Sequence, residues 1–101
     1  MNAALRAVGA GRYGLDGEVT VDTVPGLWPQ IAAVADKGGD VEVSCAGITR
    51  ADSAAVACLL EWARVAGGVG GSVRVCDLPE VMRVIMEVSD LDGILIGAST
   101  A

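Results

Sequence analysis

The sequence predicts an α/β domain in which strands and helices alternate around one sheet. Short segments that alternate apolar with polar residues are typical of strands, and longer segments with apolar residues every three or four positions are typical of helices. The two kinds follow one another along the chain, an order that favours parallel strand pairing. The 101 residues suffice for one modest core. We therefore expect a single domain over 1–101, with its core at about 4–96 and a mobile tail after Gly97.

The strands are expected to form a mixed sheet of about four to five strands. Ala4–Val8 and Arg12–Asp16 are separated by a Gly-containing turn of hairpin length. The segments 41–45 and 73–76 alternate in the same way, and 94–96 is expected as a short edge strand or a packed coil. Because the alternation buries one side of each strand, we expect helices mainly on one face of the sheet.

Three helices are expected between and after these strands. The first follows Thr23, with an irregular first turn and regular helix from about Pro29, because a proline in a helix interior lacks the N–H and clashes with the preceding turn. The second runs from about Ser53 to Val65, and the third begins at Pro79. Apolar residues at helical spacing predict the buried faces of the second and third helices, and the core residues expected there are Val56, Leu60, Ile85 and Val88.

Charge and composition exclude several classes of partner. The net charge is -6 and no basic run occurs, so nucleic acid and anionic lipid are poor candidates. No apolar run approaches the roughly 20 residues that a bilayer span requires, and the start of the sequence lacks the pattern of a signal peptide. We therefore expect a cytoplasmic chain that does not itself insert into a membrane.

The residues that usually carry catalysis are scarce. The chain has three cysteines, widely spaced, and no histidine, so neither a zinc site nor an activated thiol is expected. We interpret the cysteines as reduced, buried apolar residues. The Gly-rich segment 67–71 lacks the Gly-Lys-Ser/Thr ending of a phosphate-binding loop. The sequence therefore predicts a protein that is not an enzyme, with no catalytic residue, metal or cofactor.

The most informative segment is Thr49-Arg50-Ala51-Asp52-Ser53-Ala54-Ala55, with Leu59-Leu60-Glu61-Trp62 shortly after it. Asp and Ser are favoured at helix N-caps, where they stabilise by about 1 kcal/mol, and capping alone can explain Asp52-Ser53. A hydroxyl at a helix start can also carry a phosphate, which the free N–H groups and the helix dipole stabilise. The added charge would switch a protein interface without refolding the domain.

This segment resembles the signature of STAS domains, the modules of sulfate transporters and anti-sigma-factor antagonists. Its sequence is most similar to the MlaB-like branch. The resemblance covers about residues 4 to 95. It implies a STAS fold and a non-catalytic adaptor that binds the cytoplasmic ATPase subunit of a phospholipid-transporting, Mla-type ABC system. Such systems maintain outer-membrane lipid asymmetry, and the chain would be peripheral to the inner membrane through its partner.

The resemblance also implies where the partner binds. The loop before the second helix and that helix's first turn would form the site, with Thr49, Arg50, Asp52, Ser53 and Ala54. Trp62 is a further candidate, because tryptophan is enriched at interfaces, although packing at the rim of the core is slightly favoured as its explanation. Trp28 is interpreted as a core residue.

Two other functions stay open at this point. In anti-sigma-factor antagonists the residue that corresponds to Ser53 is phosphorylated, so the chain could instead be an antagonist that is switched at Ser53. Ala54 and Ala55 replace the second Ser and the Gly of that motif, which favours the adaptor. A small-ligand-binding domain is the third possibility, and no specific residue supports it.

Overall fold

The computed structural model describes residues 2–88, which form four strands and three helices. The α/β class and the mixed sheet are confirmed. The strand or coil expected at 94–96 and the tail expected after Gly97 lie outside the described residues. In chain order the elements are β1 (Ala4–Gly9), β2 (Arg12–Val19), α1 (Val24–Ala35), β3 (Asp40–Ala51), α2 (Ser53–Gly68), β4 (Ser72–Cys76) and α3 (Glu80–Val88).

The sheet has the strand order β1-β2-β3-β4. β1 runs antiparallel to β2, whereas β2, β3 and β4 run parallel. The two crossovers, through α1 and α2, step across the sheet in the same direction. Because such connections are right-handed, both helices are expected on the same face. α1 packs on α2, and α2 packs on α3.

Burial along the strands confirms that one face is covered. On β4, Val73 and Val75 are buried while Arg74 between them is exposed. β3 repeats the pattern, with Val43 and Cys45 buried on the side of the helices. We call the opposite, solvent-facing side the open face.

β2 and β3 are longer than the sequence pattern predicts. The pairing of β3 with β4 ends at Ser44, but its pairing with β2 continues to Val19 opposite Ala51. Thr49 and Arg50 therefore lie on the strand and not in a loop, which corrects the expected boundary. The cause is tertiary, since each strand extends only because the other provides its hydrogen-bond partners.

α1 is a continuous helix from Val24, so the expected irregular first turn is wrong. The Leu27 N–H donates to the carbonyl of the N-cap residue Thr23 at 3.1 Å, so the first turn already has the i→i−4 bond of a regular helix. Pro29 lies inside the helix but on its exposed side. Pro25, whose carbonyl loses the Pro29 partner, is exposed too, so water can bond to it.

One core lies between the covered face and the helices. Val56 is buried as predicted, whereas Leu60 is only half-buried because α2 turns Leu59 and Trp62 inward. The bulkiest fully buried side chains come from all layers: Trp62, Leu15, Leu27, Ile31, Leu59, Met82, Met86, Val19, Val43, Val56 and Val75. Among residues 2–88, no helix has both the length and the apolar character needed to cross a membrane.

The buried face of α3 differs from the prediction. Val88 is 79% exposed, Val81 and Val84 are also exposed, and Ile85 is only half-buried. Met82 and Met86, one turn apart, are both 0% exposed and form the packed face. Both stripes have helical spacing, and unbranched methionines adapt their shape to a packed core more readily than β-branched valines do.

Candidate functional site

The start of α2 is held by Asp52. This residue has an extended backbone, and its Oδ1 accepts a hydrogen bond from the Ala54 N–H at 2.8 Å. Ser53 is the first residue of the helix, as predicted, and its side chain is exposed. Ala54 is half-buried beneath it. The Asp52-Ser53 pair therefore combines a fixed cap with a hydroxyl at the surface.

The second carboxylate oxygen of Asp52 joins a different part of the chain. Its Oδ2 accepts a hydrogen bond from the Val21 N–H at 3.1 Å. Val21 lies in the loop between β2 and α1, which ends beside the end of β3 because these strands pair in parallel. One side chain thus connects the β2–α1 loop to the first turn of α2.

The β2–α1 loop is itself well ordered by two threonines. The Thr23 hydroxyl donates to the Glu18 carbonyl at 2.7 Å and accepts from the Thr20 N–H at 2.9 Å. The Thr20 hydroxyl accepts from the Asp22 N–H at 3.3 Å. These bonds fix the loop backbone at both ends, so Val21 projects from a defined position.

Five exposed residues lie either within three positions of Asp52 in the sequence or in the β2–α1 loop that Asp52 binds. We call this set the junction surface, and its members are Val21, Asp22, Thr49, Arg50 and Ser53. Thr49, Arg50 and Ser53 were predicted from the sequence, and all three are exposed. Asp52 and Ala54, also predicted, lie half-buried within it.

Three further exposed residues, in the β2–α1 loop and near the start of α2, were not predicted from the sequence as candidates: Val21, Asp22 and Ala57. Ala57 is exposed one turn after Ser53, and the helical spacing alone could have indicated it. Val21 is 66% exposed and meets Asp52 across 31 positions of the chain. No local pattern signals a contact at that separation.

Trp62 does not belong to the surface. It is 0% exposed and packs edge-on against Tyr13, with ring centroids 6.3 Å apart. The expectation that Trp62 contacts a partner is therefore corrected, because the indole lies in the core and not even at its rim. Trp28 is half-buried against the core, in line with its interpretation as a packing residue.

The cysteines are held as neutral thiols. Burial raises the pKa of Cys45 to about 12 and the pKa of Cys58 to about 11. Cys76 is half-buried on the open face, and burial followed by the nearby Asp77 raises its pKa too. A reactive thiol requires the opposite shift. Within residues 2–88, no cluster of potential ligand side chains is arranged to hold a metal ion.

The open face carries matched charges. Arg6 donates two hydrogen bonds to the Asp16 carboxylate, at 2.9 and 3.1 Å. Glu42 lies between Arg12 and Arg74, with N–O distances of 3.9 Å to each. This pairing leaves no concentrated positive charge for an anionic ligand, so the open face is a weaker candidate site than the junction surface.

The fold of this chain is similar to that of a solved structure of known class. The fold is similar to that in "Structure of the Anti-Sigma Factor Antagonist SpoIIAA in its Unphosphorylated Form", with a TM-score of 0.65 over 84% of this chain and 81% of that one. The sequence identity is 18%, so this likeness concerns the fold. A comparison with curated proteins finds no match.

The family follows from the sequence. Residues 5–97 match the family model described as "Mlab, STAS domain". The chain therefore belongs to the STAS domain family, which confirms the resemblance to STAS domains drawn from the segment around Asp52-Ser53. STAS domains act through protein–protein interactions, generally as regulators or adaptors.

Proposed function

We propose that this chain is a non-catalytic adaptor that binds the cytoplasmic ATPase subunit of a phospholipid-transporting, Mla-type ABC system. The observation that carries the proposal is the junction surface, in which exposed side chains are held on a rigid backbone at a capped helix start. The Mlab description of the matching family model supports the choice of partner. The chain would act in the cytoplasm, peripheral to the inner membrane through that partner.

Rigidity favours binding because little conformational entropy is lost on association. Asp52, Thr20 and Thr23 fix the backbone before any partner arrives. Ser53 and Ala57 are small, so a partner surface can approach the start of α2 closely. In this proposal the partner binds the nucleotide, and the adaptor stabilises the arrangement of the ATPase in which it is active.

Ser53→Glu tests this surface. The new carboxylate would have to be desolvated in a packed interface, so affinity for the purified ATPase subunit should fall by about a hundredfold. At the first position of a helix the same charge is favourable to the dipole, so the melting temperature should stay equal or rise slightly. Calorimetric titration and thermal unfolding measure the two effects.

Ala33→Glu is the matched control, because it adds the same charge to an exposed position on α1, away from the junction surface. It should leave affinity unchanged. The steady-state ATPase rate of the partner should increase with the wild-type chain and with Ala33→Glu, and much less with Ser53→Glu. Equal binding by all three chains would remove Ser53 from the interface, and no binding by the wild type would refute the adaptor proposal.

The exposure of Ser53 at a helix start also favours a second candidate, an anti-sigma-factor antagonist that is switched by phosphorylation. A phosphate there would meet the helix dipole and would disrupt a packed interface. A sigma-factor-binding kinase should then incorporate phosphate into the wild-type chain and not into Ser53→Ala. That result, together with no effect on the transporter ATPase, would select the antagonist.

A further inference from the structure

We propose that Asp52 is a positioning residue that holds Val21 beside Ser53, and that Val21 is the apolar anchor of the partner-binding surface. The inference rests on the proposed function, because it assigns residues to the same interface. It extends the interface from the first turn of α2 to a loop that lies 31 positions away in sequence.

The two carboxylate oxygens of Asp52 have separate tasks. Oδ1 accepts the Ala54 N–H at 2.8 Å and caps α2, which any good N-cap residue can do. Oδ2 accepts the Val21 N–H at 3.1 Å, and capping does not require this bond. We therefore infer that this second hydrogen bond holds the β2–α1 loop at a fixed position relative to the start of α2.

The internal bonds of the loop do not supply this register. Thr20 and Thr23 order the loop relative to β2 and α1, and the β2–β3 pairing ends at Val19 opposite Ala51. Beyond that pair, among the described residues, the bond from Val21 to Asp52 is the hydrogen bond that ties the loop to the start of α2. Without it, the loop would keep its shape and lose its fixed distance from Ser53.

Val21 has the character of an interface anchor. It is 66% exposed although it is apolar, and the rest of the junction surface around it is polar or charged. An apolar side chain inside a polar rim gains most from burial against a partner, since the rim excludes water. Asp22 and Arg50 carry opposite charges on the same surface, so the complementary site on the ATPase subunit is an apolar pocket with charged side chains of both signs around it.

Two substitutions test the roles of Val21 and Asp52 separately. Val21→Thr keeps the shape and replaces a methyl group with a hydroxyl, and it should weaken binding of the purified ATPase subunit about tenfold. Asp52→Asn keeps an oxygen for the Ala54 N–H, but its amide group cannot accept from Val21, and it should weaken binding about fivefold. Both single variants should retain a melting temperature close to that of the wild type.

The double variant is the decisive measurement. If Asp52 acts by positioning Val21, the affinity of the double variant for the ATPase subunit should be only about tenfold below that of the wild type. The reason is that a misplaced Val21 already contributes little to binding, so replacing it removes little more. If the two residues contribute independently, the tenfold and fivefold losses of affinity would multiply to about fiftyfold, and that result would overturn the inference. A role of Asp52 in stability alone would lower the melting temperature and leave no coupling to Val21.

Controls lie at the far ends of the same helices. Val69→Thr makes the identical change at an exposed valine beyond the end of α2, about 24 Å from Ser53. Asp36→Asn removes an exposed carboxylate at the end of α1, about 18 Å from the β2–α1 loop. Neither should change affinity.

The free protein gives a readout that needs no partner. In Asp52→Asn, the Val21 amide should exchange with deuterium about tenfold faster while the Ala54 amide stays protected. If both amides stay protected, the inference fails. If Ser53→Glu weakens binding and neither Val21→Thr nor Asp52→Asn weakens it, the inference fails and the proposed function stands. If the wild-type chain does not bind the ATPase subunit, the proposed function is refuted, and the inference that rests on it is refuted as well.

Discussion

The two faces of the sheet are held in different ways. Between the covered face and the helices, side chains such as Val43, Val75 and Trp62 are removed from water almost entirely. On the open face, charged side chains pair with one another while remaining substantially exposed, as Arg6 and Asp16 do. Burial of apolar area stabilises far more than exposed ion pairs, so the covered face should carry most of the folding free energy.

The difference also explains where a partner can bind. The covered face is occupied by helices, and the open face has its charges matched internally. The sheet edge where β2 and β3 end belongs to neither face, and it displays Val21 and Ser53 on a rigid backbone. A surface at such an edge can be changed by mutation with little effect on the core.

The covered face should show the largest stability effect at Trp62. Trp62→Ala should lower the free energy of unfolding by about 3–5 kcal/mol, because it leaves a large cavity. Within the described residues, its indole N–H is buried without a hydrogen-bond partner. Trp62→Phe removes that N–H along with some volume, so its loss should be only about 1–2 kcal/mol. Chemical denaturation measures both, and equal losses would contradict the cavity argument.

The next largest effect on stability is expected at the buried methionine face of α3. Met82→Ala should cost about 2–4 kcal/mol, because its side chain is fully buried in the core. Val84→Ala should change stability by less than about 0.5 kcal/mol, since Val84 is exposed and alanine favours helix. The same denaturation experiment ranks the two. A larger loss at Val84 than at Met82 would contradict the assignment of the methionines to the buried face of α3.

The smallest effect belongs to the open face and depends on pH. The hydrogen bonds from Arg6 lower the pKa of Asp16 below its ordinary value of 3.8. A lowered folded-state pKa stabilises the fold above the ordinary pKa, and that stabilisation is lost as the pH falls through the lowered value. The melting temperature of Asp16→Asn should thus lie slightly below the wild type at neutral pH and converge with it in acid. Arg6→Gln should remove the same pH-dependent difference, and a gap that persists in acid would rule out the charge of Asp16 as its cause.

Local interactions made much of the fold predictable from the sequence. The start of α2 follows from Asp52, which caps an N–H only two positions away. The β1–β2 hairpin follows from its turn, where Gly11 has a φ of +70° that suits glycine. The alternation in 41–45 and 73–76 correctly indicated a sheet with one buried face. In the first two cases the determining contact lies within a few residues of the pattern, and in the third the alternation of residue types is itself local.

Tertiary structure decided the features that the sequence left ambiguous. Valine and methionine stripes on α3 share the helical period, and only packing against α2 selected Met82 and Met86. β3 extends to Ala51 because β2 is there to pair with it. The contact between Val21 and Asp52 spans 31 positions, so neither residue signals the other along the chain. Sequence patterns record local conformational preferences, whereas burial and long-range hydrogen bonds depend on which surfaces the folded chain brings together.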